Sequence, residues 1–139
     1  MSISNDGNIA AVGATGKDTE GLNTGATYIF TRSGSIWTQQ SKIQSYVVRT
    51  YGTFGSSVCV SGDGKYIITG TPYNNTGGTN AGAAYIFSYS QFETSIVGPD
   101  TSSGDQFGKV TAVYGDYVIV GVPNISNCLL YTSPSPRDS

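Results

Sequence analysis

The amino-acid sequence predicts an all-β fold that is built from repeated four-stranded sheets. The chain has 139 residues, of which 19 are glycine and 10 are tyrosine, and it contains many Thr, Ser, Ile and Val residues. This mixture is typical of short strands joined by tight turns. No stretch has the periodicity of an amphipathic helix. In addition, a long segment of the chain occurs more than once.

This internal repeat is the strongest of the three observations. Residues 2–30 align with residues 59–87 without a gap, and twelve of the 29 aligned positions are identical. A third, partial copy appears when residues 53–72 are compared with residues 106–123. Repeats of this kind indicate small structural units that bury their apolar faces against their neighbours.

The repeat divides the chain into three units and a tail. The first unit spans residues 1–50 and lacks the beginning of its first strand, the second spans 51–103, and the incomplete third spans 104–127. Residues 128–139 match no other copy. We interpret them as a non-native tail such as a cloning scar, with a genuine disordered Ser/Pro tail as the alternative. The incomplete units favour a fragment of a longer protein over a small protein that closes by oligomerising.

Each complete unit is predicted to contain four strands. In the second unit the sequence places them at residues 56–61, 65–70, 83–89 and 91–97, with a glycine-containing hairpin turn between the first two. The second strand of each unit is a nearly continuous apolar run, which is typical of a strand covered on both faces. In residues 35–43 the side-chain types alternate more regularly between the two faces of a strand. This pattern predicts an outer strand with one face more exposed to solvent.

Two short motifs recur in a constant order relative to these strands. Phe54-Gly55 returns as Phe107-Gly108, and Gly70-Thr71-Pro72 corresponds to Gly13-Ala14-Thr15 and to Gly121-Val122-Pro123. This pattern resembles the FG-GAP repeats of integrin-alpha-type β-propellers, and residues 25–43 are especially similar to a bacterial-style variety of these repeats. The resemblance covers roughly residues 1–125.

The resemblance implies an all-β fold of propeller blades, each with four antiparallel strands. About two and a third blades of a seven-bladed propeller are present, and the remaining partners are further blades of the same chain. The positions that carry the repeat are Gly13, Gly25, Tyr28, Phe30, Phe54, Gly55, Gly70, Pro72, Gly82, Tyr85, Phe87, Phe107, Gly108, Gly121 and Pro123.

Integrin-type blades often carry a calcium-binding loop with several acidic residues between their first two strands. Calcium takes 6–8 oxygen ligands, several of them carboxylates. The matching stretches of this chain offer one carboxylate each, from Asp6, Asp63 and Asp116. We therefore interpret these weak metal candidates as turn residues and expect no cofactor, although calcium could still bind in a longer parent protein. Asn74 fits the N-x-[ST] glycosylation pattern, which also occurs by chance.

Composition argues against several other functions. The chain has no histidine, which excludes Ser-His-Asp and Cys-His catalysis. A net charge of −2 is too weak to attract nucleic acid, and no apolar run reaches the length of a membrane helix. No pair of carboxylates is placed by a motif as glycoside hydrolysis would require. We therefore expect no catalytic residue in this chain.

Variable loops between the strands are the remaining candidates for function. They comprise residues 15–24 and 72–81, together with the connections between units at 44–53 and 98–106. The resemblance implies that both loop sets share the ligand-binding face of the propeller. It favours a non-catalytic scaffold that binds a protein or carbohydrate in a secreted or cell-surface protein. The alternatives are an accessory propeller of a larger extracellular enzyme, of the polysaccharide-degrading or phospholipase type, and a structural repeat array.

Overall fold

All regular structure in the described residues is β-sheet. The computed structural model describes residues 1–16, 24–44, 53–75, 78–88, 91–97, 102–114, 117–122 and 129–134. Their strands form three antiparallel sheets. The all-β prediction of blade-like, antiparallel sheets is therefore confirmed.

Each sheet is a simple meander in which strands that follow one another along the chain are neighbours. The first sheet has the order β1 (Ser2–Ile3), β2 (Ile9–Ala14), β3 (Ala26–Ser33) and β4 (Ile36–Ile43). The second has the order β5 (Ser57–Val60), β6 (Tyr66–Thr71), β7 (Ala83–Ser88) and β8 (Gln91–Ile96). In the third, β9 (Val110–Tyr114) and β11 (Leu129–Pro134) flank β10 (Tyr117–Val122).

The four strands of the second sheet agree with the predicted ones to within one residue at each end. The first and second sheets also share a register shift between their third and fourth strands. It falls between Ile29 and Phe30 in the first sheet and between Ile86 and Phe87 in the second. A β-bulge of this kind increases the local twist of a strand pair. The repeat in sequence is thus a repeat of structure down to an irregularity.

The second sheet lies between the other two, and its strand β6 is covered on both faces. Ile67 belongs to a buried cluster with Ala11 and Ile29 of the first sheet. Its neighbour Ile68 belongs to a second cluster, with Val118 of the third sheet. Because side chains alternate along a strand, neighbouring residues point to opposite faces. The prediction of a fully covered strand is therefore confirmed for β6.

Strands β2 and β10 occupy the same place in the outer sheets but have only one covered face. Ala11 is the one fully buried residue of β2, and in β10 the buried residues alternate with more exposed ones. Their continuous apolar sequence therefore overstates their burial, since a strand in the first or third sheet has one neighbouring sheet here and not two.

The outer strand β4 differs from its prediction. Every residue from Ile36 to Gln40 is exposed, and only Ile43 at the end of the strand is buried. Both faces of the first five positions are therefore exposed to solvent, whereas the sequence predicted only one exposed face. The alternation in sequence does not identify a covered face here because β4 is an edge strand with no strand beyond it.

The recurring motifs join one sheet to the next at a close backbone contact. The Phe54 amide, at the entry to the second sheet, donates to the Thr24 carbonyl beside β3 of the first sheet at 3.0 Å, and a Cβ atom on Gly13 of the first sheet would collide with the carbonyl oxygen of Gly55. Gly55 also has a φ of +94°, which favours glycine. The ring of Phe54 is fully buried beside this contact. The glycines of the two motifs are needed because two backbones meet where no side chain fits.

The same junction occurs between the second and third sheets. The Phe107 amide, at the entry to the third sheet, donates to the Ala81 carbonyl beside β7 of the second sheet at 2.7 Å, and Gly108 has a φ of +92°. A Cβ atom on Gly70 would collide with the Gly108 carbonyl. Pro123, which belongs to the third copy of this motif, lies outside the described residues.

Strand β11 lies within the segment that the sequence analysis assigns to a non-native tail. It pairs with β10 in the register of a third strand, with Gly121 opposite Leu130. Gly70 lies opposite Ala84 in the second sheet, and Gly13 lies opposite Thr27 in the first. Residue 128 and residues 135–139 lie outside the described part of the chain.

Candidate binding end of the sheets

The antiparallel strands bring two kinds of connection to opposite ends of each sheet. Hairpins between the first and second strands and between the third and fourth lie at one end, which we call the turn end. Loops between the second and third strands and connections to the next sheet lie at the other, which we call the loop end. The longest described stretches at the loop end are residues 72–75, 78–82 and 102–106. The candidate loops 15–24 and 44–53 lie almost entirely outside the described residues.

At the loop end, backbone hydrogen bonds connect the β6–β7 loop to the segment that enters the third sheet. The Gly104 amide donates to the Thr79 carbonyl at 2.8 Å, and the Gln106 amide donates to the Asn80 carbonyl at 3.1 Å. Within the loop, the Asn80 amide donates to Oδ1 of Asn75 at 2.9 Å. These two segments are distant in sequence, so only the stacking of the sheets brings them together.

One residue in each of the two hydrogen-bonded segments at the loop end has a positive φ angle. Asn80 has a φ of +56° and Gln106 has a φ of +59°, a region that few residues other than glycine and asparagine adopt readily. Each is held there by the hydrogen bond that joins their backbones. Next to Gln106, Asp105 accepts a hydrogen bond from the Ser102 amide and closes the turn. The loop backbone is therefore defined by its own contacts.

The side chains exposed at this end are small, polar and uncharged. Asn75, Thr79, Ser102 and Ser103 are exposed, and Tyr73 is half-buried in the same loop. Amide and hydroxyl groups both donate and accept hydrogen bonds. The arrangement can therefore bind a neutral polar ligand, and none of these groups is a nucleophile activated by a neighbouring base.

Asn74 belongs to the same loop but is not available as a glycosylation site in the folded chain. Its side chain is only 1% exposed, and its Nδ2 donates to the Tyr85 hydroxyl at 3.1 Å. Its carbonyl also accepts from the Gly82 amide. An N-linked glycan would need this nitrogen and the space around it, so the packing favours a structural role over the modification that the sequence pattern suggests.

At the turn end, Asp6 and Asp63 occupy equivalent positions in two hairpins and make the same hydrogen bonds. Oδ1 of Asp6 accepts from the Ser4 hydroxyl at 2.7 Å and from the Asn8 amide at 2.9 Å. Oδ1 of Asp63 accepts from the Ser61 hydroxyl at 2.7 Å and from the Lys65 amide. Both carboxylates therefore hold their hairpin turns through the same two hydrogen bonds.

One serine completes each turn, Ser4 in the first hairpin and Ser61 in the second. The sequence analysis did not assign this role to them. The Ser4 hydroxyl accepts from the Ile9 amide at 3.1 Å while it donates to Asp6, and Ser61 is placed in the same way between Tyr66 and Asp63. Their identity in both copies was the signal that could have found them. The hydrogen bond from Ser4 is the main cause that lowers the pKa of Asp6, and the Asn8 amide is the second.

The described residues bring no three acidic, cysteine or histidine side chains together. Asp116, the third metal candidate, lies outside them. Cys59 is a free, half-buried cysteine. A calcium site built on these turns would need ligands beyond the single carboxylate that each described turn contains.

Comparison with known families identifies the repeat. Residues 37–87 match the model of the FG-GAP repeat family, which supports an FG-GAP repeat over that span. The matched span runs from β4 to β7, so it contains Phe54-Gly55 and the Gly70 carbonyl to which the Gly55 amide donates. No curated protein matches the chain.

The family assignment supports some general statements. FG-GAP repeats form β-propeller-type scaffold domains that are typically non-catalytic, and the family is commonly extracellular. Within the described residues, no helix has the length and apolar character needed to cross a membrane.

Proposed function

We propose that the chain is part of a non-catalytic binding scaffold of a secreted or cell-surface protein, and that its loop end binds a protein or carbohydrate ligand. One observation carries this proposal. Exposed polar side chains from two segments distant in sequence meet at one end of the second and third sheets, on backbones that are hydrogen-bonded to each other. Binding residues commonly lie on loops that a rigid scaffold positions.

The described loop backbone makes hydrogen bonds within the protein, without a ligand, which favours binding. Gly104 and Gln106 are tied to the neighbouring loop through its carbonyl groups, so a ligand need not pay for ordering these segments. Pre-organisation of this kind raises affinity because less conformational entropy is lost on association.

The chemistry of the exposed groups favours a neutral, hydroxyl-rich ligand. Thr79, Ser102 and Ser103 present hydroxyl groups and Asn75 presents an amide. Sugars offer many neutral donors and acceptors of the same kind, and an aromatic ring such as that of Tyr73 has an apolar body and a polar tip. The probe best matched to this surface is therefore an array of immobilised oligosaccharides.

The test compares two double variants of the purified chain on such an array. Thr79→Ala with Ser102→Ala removes two exposed hydroxyl groups at the loop end, while the backbone hydrogen bonds of these segments remain. Thr38→Ala with Ser33→Ala makes the same chemical changes at exposed positions near the turn end. We expect the first variant to lose at least tenfold in affinity for any bound oligosaccharide, since each hydrogen bond contributes about 1 kcal/mol, and the second to bind like the parent chain.

Two results contradict the carbohydrate form of the proposal. One is a parent chain that binds no oligosaccharide on the array. The other is an equal loss of binding in both double variants, which would show that the hydroxyl groups at the loop end have no special part. Binding of an immobilised protein ligand that is sensitive to the first variant alone would instead assign the same surface to protein recognition.

A further inference from the structure

Two of the described hairpin turns contain the dipeptide Asp-Gly, the sequence at which an aspartate most readily rearranges the protein backbone. The pairs are Asp6-Gly7 and Asp63-Gly64, and the chain has no other Asp-Gly pair and no Asn-Gly pair. In this rearrangement the side chain of the aspartate reacts with the amide nitrogen of the next residue. A glycine at the second position speeds the reaction because it has no side chain that could obstruct the nitrogen.

The hairpin geometry favours the glycine that makes these pairs reactive. Gly7 has a φ of +73° and Gly64 has a φ of +76°, and glycine adopts this left-handed region without steric cost. The Gly7 amide donates to the Ser4 carbonyl at 3.0 Å, and the Gly64 amide donates to the Ser61 carbonyl at 2.8 Å. Each pair is therefore part of a hydrogen-bonded β-turn, and the turn brings the chemical reactivity with it.

The rearrangement needs no reagent other than water. The amide nitrogen of the glycine loses its proton to solvent and forms a bond to Cγ of the aspartate. The hydroxyl group of the protonated carboxyl group takes up a proton and leaves Cγ as water, which gives a cyclic succinimide. Water then opens the ring at either carbonyl group. Opening at the former main-chain carbonyl gives isoaspartate, in which the backbone runs through Cβ and Cγ.

Hydrogen bonds of the first turn hold both reacting groups. The Gly7 amide is bonded to the Ser4 carbonyl, and this bond must break before the nitrogen can attack. Oδ1 of Asp6 accepts from the Ser4 hydroxyl at 2.7 Å and from the Asn8 amide at 2.9 Å. These donors stabilise the ionised carboxylate, which cannot lose water until it is protonated. The bond from Ser4 is also the main cause that lowers the pKa of Asp6.

The second turn holds its reacting groups in the same way. Oδ1 of Asp63 accepts from the Ser61 hydroxyl at 2.7 Å and from the Lys65 amide at 3.1 Å. Both serines are buried, and each hydroxyl also accepts from the backbone amide of the residue five positions later. The serine hydroxyl is therefore fixed on the carboxylate in both copies.

We propose that the two Asp-Gly pairs are latent sites of isoaspartate formation, and that the serine of each turn keeps its pair unreactive while the chain is folded. The observation that carries the proposal is the engagement of both reacting groups, the carboxylate and the glycine amide, by the same serine in each copy. The inference concerns the turn end and does not depend on ligand binding at the loop end.

Isoaspartate at position 6 is expected to loosen the contact between the first two sheets. The Asn5 amide donates to the Gly62 carbonyl at 2.9 Å, a bond that joins the two turns. The Ser4 amide donates to the Ile9 carbonyl at 2.8 Å and closes the first hairpin. Isoaspartate lengthens the backbone between these bonds by a methylene group, so the hairpin and its neighbour no longer fit together in the same register.

The test measures isoaspartate in the purified chain during incubation at neutral pH and physiological temperature. Trypsin cleaves after lysine and arginine, which places the two pairs in separate peptides, residues 1–17 and 50–65. Liquid chromatography separates the aspartate and isoaspartate forms of each peptide. Methylation by an isoaspartate-specific carboxyl methyltransferase, with a labelled methyl donor, identifies the modified form.

The first comparison is between the parent chain in buffer and the parent chain unfolded in urea. We expect isoaspartate to form in both peptides at least about tenfold more slowly in the folded chain, since several hydrogen bonds must open together before the groups react. Equal rates in the folded and unfolded chain overturn the proposal.

The second comparison uses Ser4→Ala and Ser61→Ala, each of which is the matched control of the other. Ser4→Ala should raise the rate at Asp6 by about fivefold or more and leave the rate at Asp63 unchanged, and Ser61→Ala should do the reverse. Far-UV circular dichroism shows that each variant is folded. An unchanged rate at the altered turn overturns the role of the serine, and so does an equal increase at both turns. If a variant does not fold, the comparison of the parent chain in buffer and urea decides.

Discussion

The buried hydroxyl pair between the first two sheets allows a sharp test of how the sheets recognise each other. Thr27 and Thr69 are fully buried, and their Oγ1 atoms lie 3.2 Å apart across the interface, where either can donate. The second interface has Ala84 and Val120 at the same positions, both fully buried. An apolar pair is therefore tolerated in this geometry.

The perturbation is a double-mutant cycle of Thr27→Val and Thr69→Val, which removes the hydroxyl groups and preserves the shape of the side chains. Each single change leaves the other hydroxyl buried without its partner, which costs about 1–3 kcal/mol of the free energy of unfolding. The double change removes both polar groups and should be nearly neutral. For a chain of this size, each kcal/mol corresponds to roughly 4 °C in the unfolding temperature.

The assay is urea unfolding followed by far-UV circular dichroism. It is measured at two protein concentrations, because a midpoint that changes with concentration would report association as well as unfolding. We expect the double variant to be more stable than either single variant. If the two single losses instead add in the double variant, the two hydroxyl groups are not coupled, and the assignment of this contact as a hydrogen bond between sheets is wrong.

Three further predictions concern the junction, the turn and the buried loop residue. Gly70→Ala should lower the free energy of unfolding by about 1–3 kcal/mol or more through collision with the next sheet, whereas Gly121→Ala, where a Cβ atom meets nothing closer than 3.5 Å, should change it little; urea unfolding of both variants decides. Carboxyl NMR titration should give Asp6 a pKa below its ordinary value of 3.8, and Ser4→Ala should raise it. Because the pKa of Asp6 is lowered in the folded state, its contribution to stability is present above pH 3.8 and disappears as the pH falls through the folded value; a Ser4→Ala variant with an unchanged pKa would contradict this. Asn74→Ala should cost about 1–3 kcal/mol because its buried hydrogen bond is lost, and mass spectrometry of the chain secreted from a glycosylating host should find no glycan on Asn74; an occupied site in folded protein would contradict the observed packing.

Sequence alone determined the local architecture of this protein. The repeat, the turn glycines and the apolar runs place the strands of the second sheet to within one residue at each end. This succeeds because each sheet is a meander of neighbouring hairpins, so its pairing depends on residues that are close in sequence. The recurring glycines could also be singled out, because they stand at constant positions relative to the strands.

Only the tertiary structure decided which surfaces are covered. Val12 and Thr69 are equivalent in sequence, yet Thr69 is fully buried and Val12 borders an open cavity. Asn74 looks like an exposed loop residue in the sequence but is buried against Tyr85. Burial is a property of the neighbouring sheet and not of the strand that carries the residue, so a pattern within one copy cannot reveal it.

The candidate binding end shows the same division. Glycine, asparagine and threonine predicted a loop at residues 72–81, but nothing in that stretch indicates its partner. The hydrogen bonds from Gly104 and Gln106 to this loop exist because the third sheet stacks on the second and brings its entering segment alongside. The sequence thus determined the strands and turns of each unit, whereas the stacking of the units determined the core, the open faces and the loop end, because these arise between units that are distant along the chain.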